Sequence, residues 1–299
     1  MKRLLSFLCL LATVVCGSAQ TKSQLEVLCG AELLYRDVNF VRLYDVYFSL
    51  TPAVKWHMGK DWQIAVQGNI PIANYGYGKV NSKVSVRMGV LSKQLHLGAD
   101  QHFKLSAGFF GQNRYGLDLR WMYPVTDWLM LQARGGYTGY WQMVGDATME
   151  KMDCLTGTLG VNVYLKRWNT EFKAEGGRYV YEDYGVEGDV FRHFKHCSVG
   201  LFARLHEKRA SYIKSEHKYS GGFKIVVMLP PYKKSDKRIV LRPANQFHTS
   251  YMAQSDEFSM STYATDPEDN QRNYAIDIDW GVDGAFGSRC EKVKKKSDE

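Results

Sequence analysis

Charged side chains recur at alternate positions in several segments of this 299-residue sequence, and they are the residues best suited to bind a charged ligand. In an extended segment, alternate side chains lie on one face. A face rich in arginine and lysine favours anions. Hydration of a polar interior would need the same residues, so both interpretations stay open. The charged residues are Lys55, Arg87, Lys104, Asp118, Arg120 and Arg134, and the polar Gln132 accompanies them.

Two groups of carboxylates have the residue types that hydrolyse glycosides. Glu182 with Asp183 is one group, and Asp277, Asp279 and Asp283 form the other. Glycosidases use such a pair, one member as acid and one as base or nucleophile. Alternate positions place the last three on one strand face, where solvated charge is the simpler account. Because GxSxG, HExxH, P-loop and GxGxxG motifs are also missing, we expect no enzymatic activity and no cofactor.

Two short runs contain residue types that bind metals. The first run holds His193, His196 and Cys197, but zinc sites need about four ligands and no second pair has suitable spacing. The second is the oxygen-rich run 266–270, which lacks the spacing of an EF-hand loop. We expect a surface turn in the first case, a polar loop in the second, and no metal at either.

The elements that must position these side chains are clearest between Phe103 and Tyr137. Three segments of alternating apolar and polar residues follow one another there, and short connections join them. Period two is typical of strands, and short connections make neighbouring strands antiparallel. Each segment has about 9–10 residues, the length that a tilted strand needs to cross a bilayer. The apolar positions are Phe103, Leu105, Ala107, Phe109, Tyr115, Leu117, Leu119, Trp121, Tyr123, Leu129, Leu131, Ala133, Gly135 and Tyr137.

The same alternation recurs along most of the chain and predicts about 12–14 strands, without a convincing amphipathic helix. Two stretches, 72–81 and 141–153, break the pattern and are expected to be loops. A shift of the apolar register at Gly176 and Gly177 predicts a β-bulge. Further strands are expected at 25–34, 44–57, 62–70, 84–90, 155–165, 170–181, 186–194, 197–204, 222–229, 247–253 and 274–282.

An all-β chain of this kind has two main solutions. An antiparallel up-and-down β-barrel of the outer-membrane type turns its apolar faces to lipid, whereas a soluble sandwich packs them inward. Strand length and the nearly continuous up-and-down order favour the barrel. Aromatic residues at strand ends also favour it, because they are typical of membrane interfaces. These residues are Trp56, Trp62, Tyr123 and Trp128.

The first residues of the chain predict export. Residues 1–19 combine a basic start, an apolar core and small residues before Gln20, as in a cleavable signal peptide. We expect one barrel domain over 20–290 and a charged, disordered tail over 291–299. Without Lys2 and Arg3 the formal charge falls from +8 to +6. A basic exported protein suits anionic lipid or acidic polysaccharide, and nucleic acid is not an expected partner.

Four cysteines follow the predicted signal peptide at widely separated positions. An oxidising compartment permits disulfides, and four cysteines allow three fully paired connectivities. The sequence leaves both disulfides and free thiols open. The residues are Cys29, Cys154, Cys197 and Cys290.

Several motifs resemble those of a known family. The runs GFFGQNRYGLDL and GYTGYW lie between Gly108 and Trp141, and RYVYEDY, FRHF, GGFKI and LRP follow later in the chain. With these motifs the chain resembles the YjbH-like outer-membrane β-barrel proteins associated with exopolysaccharide production. The resemblance implies an outer-membrane barrel that helps an extracellular polysaccharide across the envelope. It also implies contact roles for the motif residues Arg178, Asp183, Arg192 and Arg242.

The expected function is therefore that of a non-enzymatic barrel in the outer membrane of a Gram-negative envelope. It would assist exopolysaccharide export or surface assembly. The expected partners are outer-membrane lipid, acidic extracellular polysaccharide and envelope export components. A general diffusion porin, a lipid-handling barrel and a soluble periplasmic β-rich glycan-binding protein remain alternatives.

Overall fold

The fold was analysed on a computed structural model, which describes thirteen stretches of the chain. The predicted signal peptide, the predicted strand at 274–282 and the tail at 291–299 lie outside them, as does Cys290. The described stretches are 23–36, 45–59, 61–76, 82–97, 101–111, 114–144, 148–180, 182–194, 196–207, 219–230, 237–244, 246–253 and 262–268.

The described chain is all-β, as the alternation predicts, with one short 3-10 turn at Lys166–Trp168. No helix in the described part is long and apolar enough to cross a membrane. The strands are β1 (Gln24–Arg36), β2 (Asp45–Gly59), β3 (Trp62–Tyr75), β4 (Ser85–Leu97), β5 (Gln101–Phe110), β6 (Arg114–Thr126), β7 (Leu129–Val144), β8 (Thr148–Leu165), β9 (Thr170–Arg178), β10 (Tyr184–His193), β11 (Cys197–His206), β12 (Tyr219–Met228), β13 (Ile239–Pro243) and β14 (Gln246–Ala253).

All 14 strands belong to one sheet, in which β2 to β12 pair antiparallel in sequence order. Strand β12 then pairs antiparallel with β14. Strand β1 pairs antiparallel with β2 along its whole length. On its other side β1 runs parallel to β13 and then to β14. Strands β13 and β14 therefore act as one interrupted strand beside β1.

The loop prediction for 141–153, the first part of the loop prediction for 72–81 and the bulge prediction are wrong. Strand β3 continues to Tyr75, and β7 and β8 extend through most of 141–153, because polar residues can alternate on a strand as apolar ones do. Residues 77–81 lie outside the described stretches. Pairing of β9 with both neighbours runs through Gly176 and Gly177 without a shift. The missing side chains at these glycines, and not an extra residue, interrupt the apolar pattern.

The two rims of the sheet, where its strands begin and end, carry different connections. Short connections between β2 and β3, β6 and β7, β8 and β9, and β10 and β11 all lie at the edge where β1 begins, which we call the turn edge. Asp61 and Asn169 take positive φ values of 64° and 47° in two of these turns, a conformation that Asp and Asn tolerate. Thr126 Oγ1 accepts a hydrogen bond from the Leu129 N–H in a third turn. The opposite edge, the loop edge, carries the connections from β1 to β2, β3 to β4 and β11 to β12.

The polarity of the two sheet faces is the reverse of that in a water-soluble protein. One face is buried and polar, and the other is exposed and apolar. In β6, Asp118 is 1% exposed whereas its neighbours Leu117 and Leu119 are 53% and 45% exposed. In β8, Thr158 is 7% exposed and Leu159 is 71% exposed. Burial therefore follows the period-two pattern, with charge inside and aliphatic side chains outside.

A bulge in β4 changes the face on which apolar residues lie. Pairing with β3 shifts at Gln67, so that Arg87 is the extra residue. Val86 stays on the exposed face, whereas Met88 and Val90 are buried. The simple alternation that places all three on one apolar face is therefore wrong. The two buried side chains form a small apolar cluster with Phe110, Val180, Tyr263 and Ala264.

Candidate functional site on the buried face

The segment Thr262–Glu268, which we call the strap, lies against the buried polar face without belonging to a strand. It begins near the loop edge, where the Gly111 N–H donates to the Ala264 carbonyl at 3.0 Å. It ends among side chains of β2, β3 and β13 closer to the turn edge. The strap therefore brings one stretch of chain into contact with strands that are far apart in sequence.

Asp266 is the first of two anchoring carboxylates of the strap. Its Oδ1 lies 3.0 Å from Lys55 Nζ, and its Oδ2 lies 3.2 Å from Lys104 Nζ. Gln63 Nε2 donates to the same Oδ2 at 2.8 Å. All three partners are buried, so the carboxylate is held by charge in a water-poor site.

Glu268 forms the second anchor of the strap. Arg242 donates to its two oxygens, from Nη1 at 2.7 Å and from Nη2 at 3.1 Å. This fork-like contact fixes orientation as well as charge. Lys55 Nζ lies 3.2 Å from Glu268 Oε2 and so joins the two anchors, while Arg242 also contacts Glu26 of β1.

The cations keep both strap carboxylates ionised. Desolvation by burial acts to raise the pKa of Asp266, but Lys55, Lys104 and the Gln63 hydrogen bond hold that pKa well below its usual range. Burial is likewise outweighed at Glu268, where Lys55 and Arg242 lower the pKa to about 2. The strap therefore carries two negative charges at neutral pH.

A second set of charges surrounds Asp118 in the middle of β6. Arg134 Nε donates to Asp118 Oδ1 at 2.6 Å, and Arg120 Nε donates to Oδ2 at 3.2 Å. The Tyr263 hydroxyl of the strap donates to Oδ1 at 2.8 Å. Arg134 also donates to the Tyr263 carbonyl and stacks on its ring, with 4.1 Å from the guanidinium carbon to the ring centroid. Asp118 therefore links two strands to the strap.

The Tyr263 ring fits a space left by a missing side chain. The ring stacks on Phe110 with 5.2 Å between centroids. A Cβ on Gly136 of β7 would collide with the Tyr263 hydroxyl, whereas a Cβ on the neighbouring Gly135 would meet nothing within 4 Å. Desolvation by burial raises the pKa of the Tyr263 phenol well above its usual value, so it remains a neutral hydrogen-bond donor.

The connection between β9 and β10 also folds against the buried face, at the loop edge. Tyr179 and Val180 are almost fully buried, and Arg114 of β6 donates to the Val180 carbonyl at 2.7 Å. His206 of β11 contacts Asp183 at 2.7 Å through Nδ1. It also contacts Glu187 at 3.1 Å through Nε2. This connection and the strap together occupy part of the space over the buried face.

Ser198, His193 and Glu171 form a hydrogen-bonded row at the turn edge. His193 Nδ1 lies 2.8 Å from Ser198 Oγ, and its Nε2 lies 3.0 Å from Glu171 Oε2. The order resembles a hydrolytic triad. However, Ser198 is a direct cross-strand neighbour of His193 and is 0% exposed, which leaves no approach for a substrate. We therefore interpret the row as a structural contact. The surface turn expected at 193–197 does not include His193, which is buried.

Most residues singled out in the sequence lie in ion pairs of the buried face. Arg87 pairs with Glu32 and Arg242 with Glu26 and Glu268, while Lys104, Asp118, Arg120 and Arg134 occupy the contacts given above. Because acids accompany the bases, the buried face is charge-paired and not simply basic. Gln132 donates to Glu175 at 3.4 Å. Asp183 contacts His206, away from the strap.

Arg178 and Arg192 differ from the other singled-out residues. Arg178 pairs with the half-exposed Glu182 at the loop edge. Arg192 alternates with the buried Phe191 and His193, so its side chain is exposed on the apolar face. Arg192, which the family-like motifs single out as a contact residue, therefore lies on the face opposite to the ion pairs. Its neighbours within FRHF take the interior positions.

The cysteines of the described residues are free thiols. Cys29 is exposed on the apolar face, Cys197 is half-buried and Cys154 is buried on the polar face. Within the described stretches, no group of three or more His, Cys, Asp or Glu side chains could hold a metal ion. The oxygen-rich run that begins at Asp266 uses its described carboxylates in ion pairs with lysine and arginine.

Comparisons with known protein families, with curated proteins and with solved structures found no match for this chain.

Sequence reasoning missed the strap. Its acidic residues look like a polar loop, because the partners Lys55 and Lys104 lie 211 and 162 residues away along the chain. One signal of the strap was present in the sequence. Phe110 and Gly136 occupy positions of the polar face, where an apolar ring and a missing side chain indicate that another part of the chain packs against them.

Proposed function

We propose that this chain is an outer-membrane β-barrel that assists the export or surface assembly of an extracellular polysaccharide. The observation that carries the membrane assignment is the inverted polarity of the sheet, with ion pairs on the buried face and aliphatic side chains on the exposed face. Lipid-facing barrels alternate in this way, whereas a soluble sandwich buries its apolar face.

The strand pairing supports closure of the sheet into a barrel. Strand β1 has β2 on one side and the β13–β14 pair on the other, which is the pairing that a closed ring of strands requires. If strands alternate in direction around a closed ring with an odd number of strand positions, one pair of neighbours must be parallel. The contact of β1 with β13 and β14 is such a parallel pair.

Aromatic residues at both edges support a membrane setting. Exposed aromatic side chains at the turn edge include Trp56, Trp128, Trp168 and Phe194, and those at the loop edge include Tyr75, Tyr184 and Tyr219. Such residues are enriched where a membrane meets water. The exposed aliphatic residues lie between the two sets, among them Val66, Leu117, Leu119, Leu159, Val190 and Leu201.

Extraction tests the membrane assignment. The full precursor is expressed in a Gram-negative host, and the isolated membranes are washed with alkaline carbonate. We expect the protein to stay with the membranes, because lipid-facing aliphatic side chains hold it there. Release into the wash would contradict the barrel and favour a soluble periplasmic sandwich.

The polysaccharide role rests on the family-like motifs and on the basic charge of the chain. The competing general porin needs an open lumen, and the strap and the β9–β10 connection fill part of the space over the buried face. A deletion strain separates the two functions. We expect it to lose extracellular polysaccharide and to keep small-solute uptake. Unchanged polysaccharide with reduced uptake would instead support the porin.

A further inference from the structure

We propose that Lys55, Lys104 and Arg242 form a binding site for the carboxylates of an acidic polysaccharide, and that the strap occupies this site as an internal substitute. The inference rests on the proposed function and names the substrate class. It differs from a generally basic lumen, because it assigns three specific cations whose described carboxylate contacts include the strap.

The site has the geometry of a carboxylate receptor. Its cations come from β2, β5 and β13, and strand pairing fixes their positions. Arg242 binds one carboxylate with two nitrogens, and the two lysines with Gln63 bind the next. A uronic acid polymer likewise presents carboxylates in series, as the strap does at Asp266 and Glu268.

Exchange of one anion for another is the physically favoured way to move the strap. Removing only one partner of a buried ion pair is costly, because the remaining charge is left uncompensated. Departure of the strap would leave Lys55 and Lys104 buried without Asp266. A polysaccharide carboxylate that enters as the strap leaves would keep them neutralised. Protonation is a poor trigger, since both strap carboxyls have lowered pKa values.

Binding to the purified full chain in lipid nanodiscs tests the inference. The probe is a labelled oligogalacturonate, and the matched neutral probe is its methyl ester, which keeps the backbone and loses the charge. Free galacturonic acid distinguishes a polymer site from a site for small acids. The double variant Asp266→Asn with Glu268→Gln should bind oligogalacturonate about tenfold more tightly, if the native strap fills the site about nine-tenths of the time.

Two control variants complete the design. Lys55→Gln combined with Lys104→Gln should abolish oligogalacturonate binding. Asp127→Asn should leave it unchanged, because Asp127 is an exposed carboxylate in the β6–β7 turn. A measurement on the wild-type protein tests the inference even if the strap variant fails to insert. Oligogalacturonate should accelerate hydrogen exchange at the Gly111 amide, because the docked strap protects that amide.

The outcomes separate this inference from the proposed function. Equal binding of acid and ester probes, or equal affinity of wild type and an inserted strap variant, would overturn the inference. Unchanged Gly111 exchange at saturating probe would also overturn it. Tighter binding of free galacturonic acid than of the oligomer would overturn the polymer class. Carbonate washing of membranes from the same expression cultures reports on the barrel independently, since extraction of the wild type would contradict the proposed function alone.

Discussion

Asp118 is a buried carboxylate at the centre of a charged cluster on the buried face. It is 1% exposed and accepts hydrogen bonds from Arg120, Arg134 and Tyr263. Substitution Asp118→Ala should lower the free energy of unfolding by about 3–5 kcal/mol, because it leaves buried cations uncompensated. Urea unfolding from lipid vesicles measures the change.

The matched control for this substitution is Asp127→Ala. Asp127 pairs with Lys166 in an exposed turn, and its side chain is 81% exposed. Exposed positions of this kind change stability by about 0.5 kcal/mol or less. Equal effects of the two substitutions would show that the interior of the sheet is hydrated and that its ion pairs carry little energy.

Leu119 tests the exposed face at the level of a single side chain. Substitution Leu119→Arg in the middle of β6 should cost roughly 2–4 kcal/mol if the residue faces the bilayer core. Val125→Arg, at an exposed position of β6 beside the turn edge, should cost about 0–1 kcal/mol because the penalty falls near the interface. Both residues are exposed, at 45% and 41%, so a water-facing sheet would give two small and equal effects.

The strap is the element whose docking depends on one missing side chain. Gly136→Ala should displace Tyr263, because the new Cβ would collide with its hydroxyl. Gly135→Ala is the matched control, since a Cβ there meets nothing within 4 Å. Hydrogen exchange of the Gly111 amide measures docking, and we expect faster exchange only in Gly136→Ala. An unchanged rate in that variant would show that the strap does not need the Tyr263 contact.

Docking of the strap should also be insensitive to mild acid. The pKa values of Asp266 and Glu268 are lowered in the folded state, so their contribution is complete above their unfolded values of about 4. It should fade as the pH drops from about 4 towards 2, the folded pKa of Glu268. A spin label at Thr262→Cys reports strap mobility. Release of the strap between pH 7 and 5 would contradict this account.

At the scale of the whole molecule, the sequence predicted what is local and periodic. The alternation of apolar and polar residues in 103–137 predicted β5, β6 and β7 correctly, because side-chain alternation depends on each strand alone. It did not predict the β4 bulge at Arg87, where one extra residue moves Met88 and Val90 to the buried face. That shift shows only when strands are paired.

The candidate site was predicted in part for the same reason. Lys104, Asp118, Arg120 and Arg134 share a face because they alternate on neighbouring strands. Their acidic partners in the strap could not be read from spacing, since separation along the chain does not tell which strands and loops lie close together in the folded sheet. The parallel contact of β1 with β14 was hidden likewise, because it joins opposite ends of the described chain.

The central claim, that the exposed apolar face meets lipid, is tested most directly by paired cysteines on β8. Leu159→Cys and Thr158→Cys are adjacent, one on each face, in a background where Cys29, Cys154, Cys197 and Cys290 are serine. A thiol reagent confined to the bilayer core is applied to the protein in native membranes. We predict labelling at position 159 and protection at position 158. Labelling at 158 with protection at 159, or labelling at neither, would contradict the account.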